Sequence, residues 1–262
     1  MRLEVITELP KTKTGSTPLL FIHGACHGAW CWEHFLLYFA ENGYEAHALS
    51  LRGHGASDGH ERIRWIGTAE YLEDVTDVAS RLSSPPVLNG HSMGGYFIQK
   101  YLETHTAPAA VLLASLPVTG MLKMIARNAF CHPWQALKCH LTLNRYALVE
   151  TPDLFRDAMF SPDIPAATLN RYYARLENES YMASLEATFF KLPRPAKVGP
   201  LPILVLGAEN DALFSREEIE STARAYKTEA EFFPNMAHDM MLESGWQNVA
   251  KRILTWLRKK KL

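Results

Sequence analysis

Short apolar runs alternate with longer amphipathic stretches along most of the chain. The runs are Leu19–Ile22, Glu45–Leu49, Pro86–Asn89, Ala110–Leu113, Ile203–Leu206 and Ala230–Phe233, each bounded by turn-forming residues, which predicts strands. The opening segment Leu3–Thr7 alternates apolar and polar positions, the pattern of an edge strand in a hairpin. Between the runs, Tyr71–Leu82 carries apolar residues at Leu72, Val75, Val78, Ala79 and Leu82, close to the 3.6-residue period of a helix. The last segment repeats that period with Trp246, Val249, Ala250, Ile253, Leu254 and Leu257. This alternation predicts an α/β fold, a mostly parallel sheet flanked by helices on both faces. Five of the six runs end at a loop carrying Gly, Ser or His, and ligand sites of parallel sheets form at such strand ends.

From 118 to 197 the rhythm breaks. The stretch is helical in character, punctuated by proline and rich in aromatics: Phe130, Trp134, Phe155, Phe160, Tyr172, Tyr173, Phe189 and Phe190. It falls between two strand–helix units, so it reads as a helical cap inserted into a core formed by 1–117 and 198–262. These aromatics either line an apolar substrate pocket or pack the cap itself, and Trp134 is the candidate substrate contact among them.

Composition narrows the function classes. With 262 residues, 47% of them hydrophobic, the chain can bury one large core. A net charge of −1 and no basic stripe argue against nucleic acid as a partner, and the Lys259–Lys261 run reads as a solvated helix end. No apolar run is long enough to cross a bilayer, and the N-terminus lacks the apolar core of a signal peptide. Cys26, Cys31, Cys131 and Cys139 form no CxxC pair, which points to a reducing, cytoplasmic setting. The Cys131-His132 and Cys139-His140 pairs match no usual zinc spacing, so no metal is expected.

The chemistry centres on Gly90-His91-Ser92-Met93-Gly94-Gly95, a G-x-S-x-G motif between a strand and an amphipathic helix over 96–105. A tight turn there lifts the serine hydroxyl clear of the sheet, and side chains at 90 and 94 would collide across it. The helix that follows aims its positive end at the site, and the Met93 N–H becomes a candidate oxyanion donor. A serine needs a base, and the base needs an orienting acid. Chain order in this motif class runs Ser, acid, His, and His238, in the loop after the last strand, fits by order and place. His91 adjoins Ser92 and is expected to face away from it. Asp211, in the loop after Ile203–Leu206, is the candidate acid, with Glu209 as competitor and Asp239 too close to His238 to orient the same ring. The loop His23-Gly24-Ala25-Cys26-His27 should supply the second oxyanion donor, the Ala25 N–H, while Gly24 lets the backbone approach the substrate. His23 reads as a buried structural residue, and Arg52-Gly53-His54-Gly55 as a tight turn rather than a phosphate cradle.

On these motifs the chain resembles the α/β-hydrolase superfamily along nearly its full length. The stretch His23-Gly24-Ala25-Cys26-His27-Gly28-Ala29-Trp30-Cys31-Trp32 is most similar to the branch containing plant methylesterases and hydroxynitrile lyases. That resemblance implies ester hydrolysis or cyanohydrin cleavage without a cofactor. The lyases typically carry Thr where this chain has Gly24, and Lys where it has Asp239, so both departures favour an esterase. An ammonium would stabilise departing cyanide and a carboxylate would oppose it. Aspartate-nucleophile relatives are set aside by Ser92, whereas carbon–carbon bond hydrolases share the serine triad and stay open. The expectation is a serine esterase acting on a small-molecule ester, with a ligand-binding receptor on the same scaffold as the rival from another class.

Overall fold

In the computed structural model, which describes residues 1–14 and 17–262, seven strands form one sheet. They are β1 (Glu4–Glu8), β2 (Leu19–Ile22), β3 (Ala46–Ser50), β4 (Val87–His91), β5 (Ala110–Leu113), β6 (Ile203–Ala208) and β7 (Ala230–Phe233). Their spatial order is β1-β3-β2-β4-β5-β6-β7, parallel throughout except for β1. β1 is an edge strand, with alternate residues exposed as its sequence pattern demands. It does not form a hairpin with the next strand: it runs antiparallel to β3, with Glu4 opposite Ser50. The unit β2–β3 is parallel, which leaves β3's far edge as the place for β1.

The period-2 rule places the core on both faces of the sheet. Leu19 and Phe21 of β2 point to one side, where α1 (Glu33–Glu41) and α10 (Trp246–Lys260) pack; Leu20 and Ile22 point to the other. That second side is covered by α2 (Thr68–Arg81), α3 (Met93–Tyr101) and α9 (Arg216–Ala225). In α2 the buried residues Tyr71, Val75, Val78 and Ala79 follow helical spacing. Arg52 forks onto the buried Asp74 of that helix at 2.7–3.0 Å, which makes the 52–55 loop a braced turn.

Between β5 and β6 lie α4 (Leu122–Cys131), α5 (Pro133–Thr142), α6 (Pro152–Met159), α7 (Ala166–Tyr173) and α8 (Tyr181–Leu185). Their aromatics divide. Phe155, Phe160 and Tyr172 are buried and join the core cluster through Trp30, which stacks on Tyr172; Phe130, Trp134, Phe189 and Phe190 are exposed. Glu177 and Glu179 tie this helical segment to the core. Glu179 is buried, 3.4 Å from His54 Nε2, and accepts from the Tyr71 hydroxyl at 3.2 Å and the Cys26 N–H at 3.4 Å. Burial alone would push its carboxyl up, but the His54 charge and these donors outweigh that and hold it below the usual range. Among the described residues no helix is long and apolar enough to cross a membrane.

Candidate active site

The turn after β4 is built around a strained serine. Ser92 has φ 51° and ψ −117°, a left-handed conformation that costs a non-glycine residue energy. Its neighbours hold it there: the Ser92 N–H donates to Leu113 O at 3.1 Å, and its carbonyl accepts from Leu116 N at 3.0 Å and Tyr96 N at 3.2 Å. Gly94 permits the turn for a different reason than mutual collision with position 90. A Cβ at 94 would strike the Ile22 and His23 carbonyls at the end of β2, and one at 90 would lie 2.6 Å from the Gly94 oxygen. α3 opens immediately at Met93, so the Met93 N–H has no intrahelical acceptor and its end of the helix carries partial positive charge.

The other candidates arrive from separate strand ends. His238 is fully buried, with Nδ1 2.9 Å from Asp211 Oδ2. The second oxygen of Asp211 accepts the Leu213 and Phe214 N–H groups at 2.8 and 3.0 Å, so the acid is fixed before it orients the ring. Burial disfavours the imidazolium, but the Asp211 charge and hydrogen bond more than offset it and raise the His238 pKa above its ordinary value. His238 Nε2 has no hydrogen-bond partner among the described residues. Glu209, the competing acid, pairs with Arg216 at 3.0 Å instead.

Ser92, His238, Ala25 and Met93 line one cavity of about 620 Å³ beneath the helical segment. The Ala25 N–H donates to no acceptor among the described residues. Gly24 presses against the serine: a Cβ there would lie 2.9 Å from Ser92 Cβ and 2.7 Å from His91 Nδ1. The wall above is largely apolar, with Met121, Met124, Leu148, Leu154 and Met159 contributed by the helical segment.

Trp134 does not belong to this wall. It is 66% exposed, and α5 turns Gln135 to the cavity instead. His91 also departs from expectation. Its ring lines the cavity and packs 4.7 Å from the His238 ring, and its Nε2–H donates to the His238 carbonyl at 3.0 Å. Burial first and the neighbouring His238 charge second push its pKa down to about 3, so it stays neutral beside His238. His23 is buried and structural, accepting from Leu51 N at 3.0 Å.

Sequence reasoning missed a second pair. Asp239 Oδ2 lies 3.0 Å from His27 Nε2, and the other nitrogen of that ring donates to the Ala25 carbonyl at 2.7 Å. Both His27 nitrogens therefore act as donors. Burial works against the imidazolium, but Asp239 overcomes it, raising the His27 pKa; burial is likewise outweighed by His27 in lowering that of Asp239. The pair holds the Ala25–Cys26 peptide, which directly follows the one carrying the Ala25 N–H. The only signal in the sequence was the coincidence of polar residues at two strand ends, 212 positions apart.

One group with metal-ligand composition occurs among the described residues, His91, His238 and Asp239, with atoms within 4.8 Å of one another. Each is already engaged, His91 with a carbonyl, His238 with Asp211 and Asp239 with His27. Cys26, Cys31 and Cys139 are buried free thiols, and burial raises the pKa of each.

The family model described as "Alpha/beta hydrolase family" matches residues 19–252. The chain belongs to the alpha/beta hydrolase family. Among curated hydrolases, Esterase PIR7B of Oryza sativa subsp. japonica is 32% identical over 38% of this chain and 40% of its own length. Methylesterase 10 of Arabidopsis thaliana is 31% identical over 36% of this chain and 41% of its own. The chain thus spans about two-fifths of the curated relatives it matches. A thermophilic esterase from Thermogutta terrifontis shares the hydrolase fold across 99% of this chain and 94% of its own, with TM-score 0.75 and 19% identity.

Proposed function

We propose that this hydrolase cleaves a carboxylic ester by two-step acyl transfer on Ser92. The observation that carries the reading is the His238–Asp211 contact at 2.9 Å beside a strained serine that shares one cavity with the base. His238 Nε2 takes the Ser92 proton as Oγ attacks the ester carbonyl. The Ala25 and Met93 N–H groups receive the oxyanion, an arrangement that stabilises charge present only in the transition state. His238 then protonates the departing alcohol, and the same nitrogen activates the water that releases the acid.

Names of relatives support the ester over other bonds, but Esterase PIR7B and Methylesterase 10 each match under two-fifths of this chain, so the substrate is not transferred from them. The lyase alternative loses ground on space. A threonine at 24 needs room that His91 Nδ1 and Ser92 Cβ occupy. Position 239 holds a carboxylate already paired with His27.

Short-chain p-nitrophenyl esters test the reading, with mandelonitrile as the control substrate. Saturable release of p-nitrophenol without cyanide release from mandelonitrile is expected. Cyanide release in the absence of ester turnover would transfer the site to cyanohydrin chemistry.

A further inference from the structure

Charges on the cavity wall are mostly matched. Arg127 pairs with Glu218 at 3.1 Å, Asp157 with Arg156 at 2.9 Å, and Asp239 with His27 at 3.0 Å. Arg145 is the exception. It lines the same cavity as Ser92 and also the small recess between α4 and α5, yet it makes no hydrogen bond or ion pair among the described residues. Its backbone is fixed in a short 3-10 turn, Arg145–Leu148, whose preceding Asn144 accepts the Tyr146 N–H at 3.0 Å. The side chain is half-buried rather than loose on the surface. Its charge reaches the Cys26 thiol, next to the oxyanion loop, where it works against the upward push of burial.

We propose that Arg145 receives an anionic group of the substrate, so that the preferred substrates are esters carrying a second, ionised carboxylate, such as monoesters of dicarboxylic acids. The proposal rests on ester hydrolysis at Ser92. A guanidinium presents a planar fork that fits a carboxylate through two hydrogen bonds. An apolar wall lowers the local dielectric and strengthens that pairing relative to water. A neutral aliphatic ester would leave the guanidinium facing hydrocarbon with no partner. A cavity of about 620 Å³ accommodates a chain of several carbons between the reacting carbonyl and the second carboxylate.

Binding to the Ser92→Ala protein separates this claim from catalysis. Monomethyl glutarate and dimethyl glutarate, titrated calorimetrically, differ by one charge and little in shape. The monoester should bind roughly tenfold or more tightly than the diester, and added salt should weaken it selectively. Arg145→Gln should collapse that ratio toward one, and Arg145→Lys, which keeps the charge without the fork, should retain part of it. Equal affinity for the two esters, or an unchanged ratio in a folded Arg145→Gln protein, would overturn the proposal. Absence of turnover in wild type with the ratio intact would overturn the catalytic reading and leave the anion site standing.

Discussion

Replacing Ser92 with alanine should lower ester turnover by about a million-fold, the scale at which loss of the nucleophile removes the benefit of a whole triad. Each factor of ten corresponds to about 1.4 kcal/mol of barrier, so the loss is about 8 kcal/mol. The protein should remain folded. Ser92 Oγ makes no hydrogen bond among the described residues, and alanine keeps the Cβ while the backbone contacts to Leu113, Leu116 and Tyr96 persist. The variant should retain about a thousand-fold acceleration over water from the Ala25 and Met93 donors and from binding. Steady-state rates together with a thermal melt check both halves; turnover within tenfold of wild type would remove Ser92 from the chemistry.

The second large effect concerns Asp211. Asp211→Asn should cut kcat by about ten-thousand-fold, because an amide nitrogen facing His238 Nδ1 favours the tautomer whose Nε2 already carries a proton. The pH profile supplies an independent readout. His238 must be neutral to accept the serine proton, so activity falls as pH drops through its pKa. Asp211 raises that pKa, which places the acidic limb of wild-type kcat/KM above the value of about 6.5 for a free imidazole. Removing the carboxylate removes the cause of the rise, and the limb should move to lower pH. A limb that stays in place would mean that another group titrates in the rate.

Parts of the fold and of the site are legible in the sequence. The strands appear within two residues of the apolar runs because period and length identify a buried strand without knowledge of its neighbours. That Asp211 would meet His238, and that His238 would share a cavity with Ser92, is legible because each of the three sits in a loop directly after a strand, where parallel topology converges. What was lost needed three dimensions. The partner of β1 depends on which edge of the sheet is free, and adjacency in sequence pointed wrongly to a hairpin. Aromatic content says nothing about which side of a helix faces the cavity, and Trp134 faces solvent. His238 Nδ1 contacts Asp211 rather than Asp239, and the partner of Asp239, His27, lies too far along the chain for spacing to reveal. Arg145 carries no motif; only its lack of a counter-charge among the described residues distinguishes it.

Covalent trapping tests the central claim most directly. A fluorophosphonate reacts with a hydroxyl only where a base removes its proton and donors receive the oxygen. Intact mass and peptide mapping should find one adduct per chain, on the peptide containing Ser92, and the His238→Ala protein should stay unlabelled over the same time. An adduct on a different residue, or equal labelling of Ser92 without His238, would contradict the account.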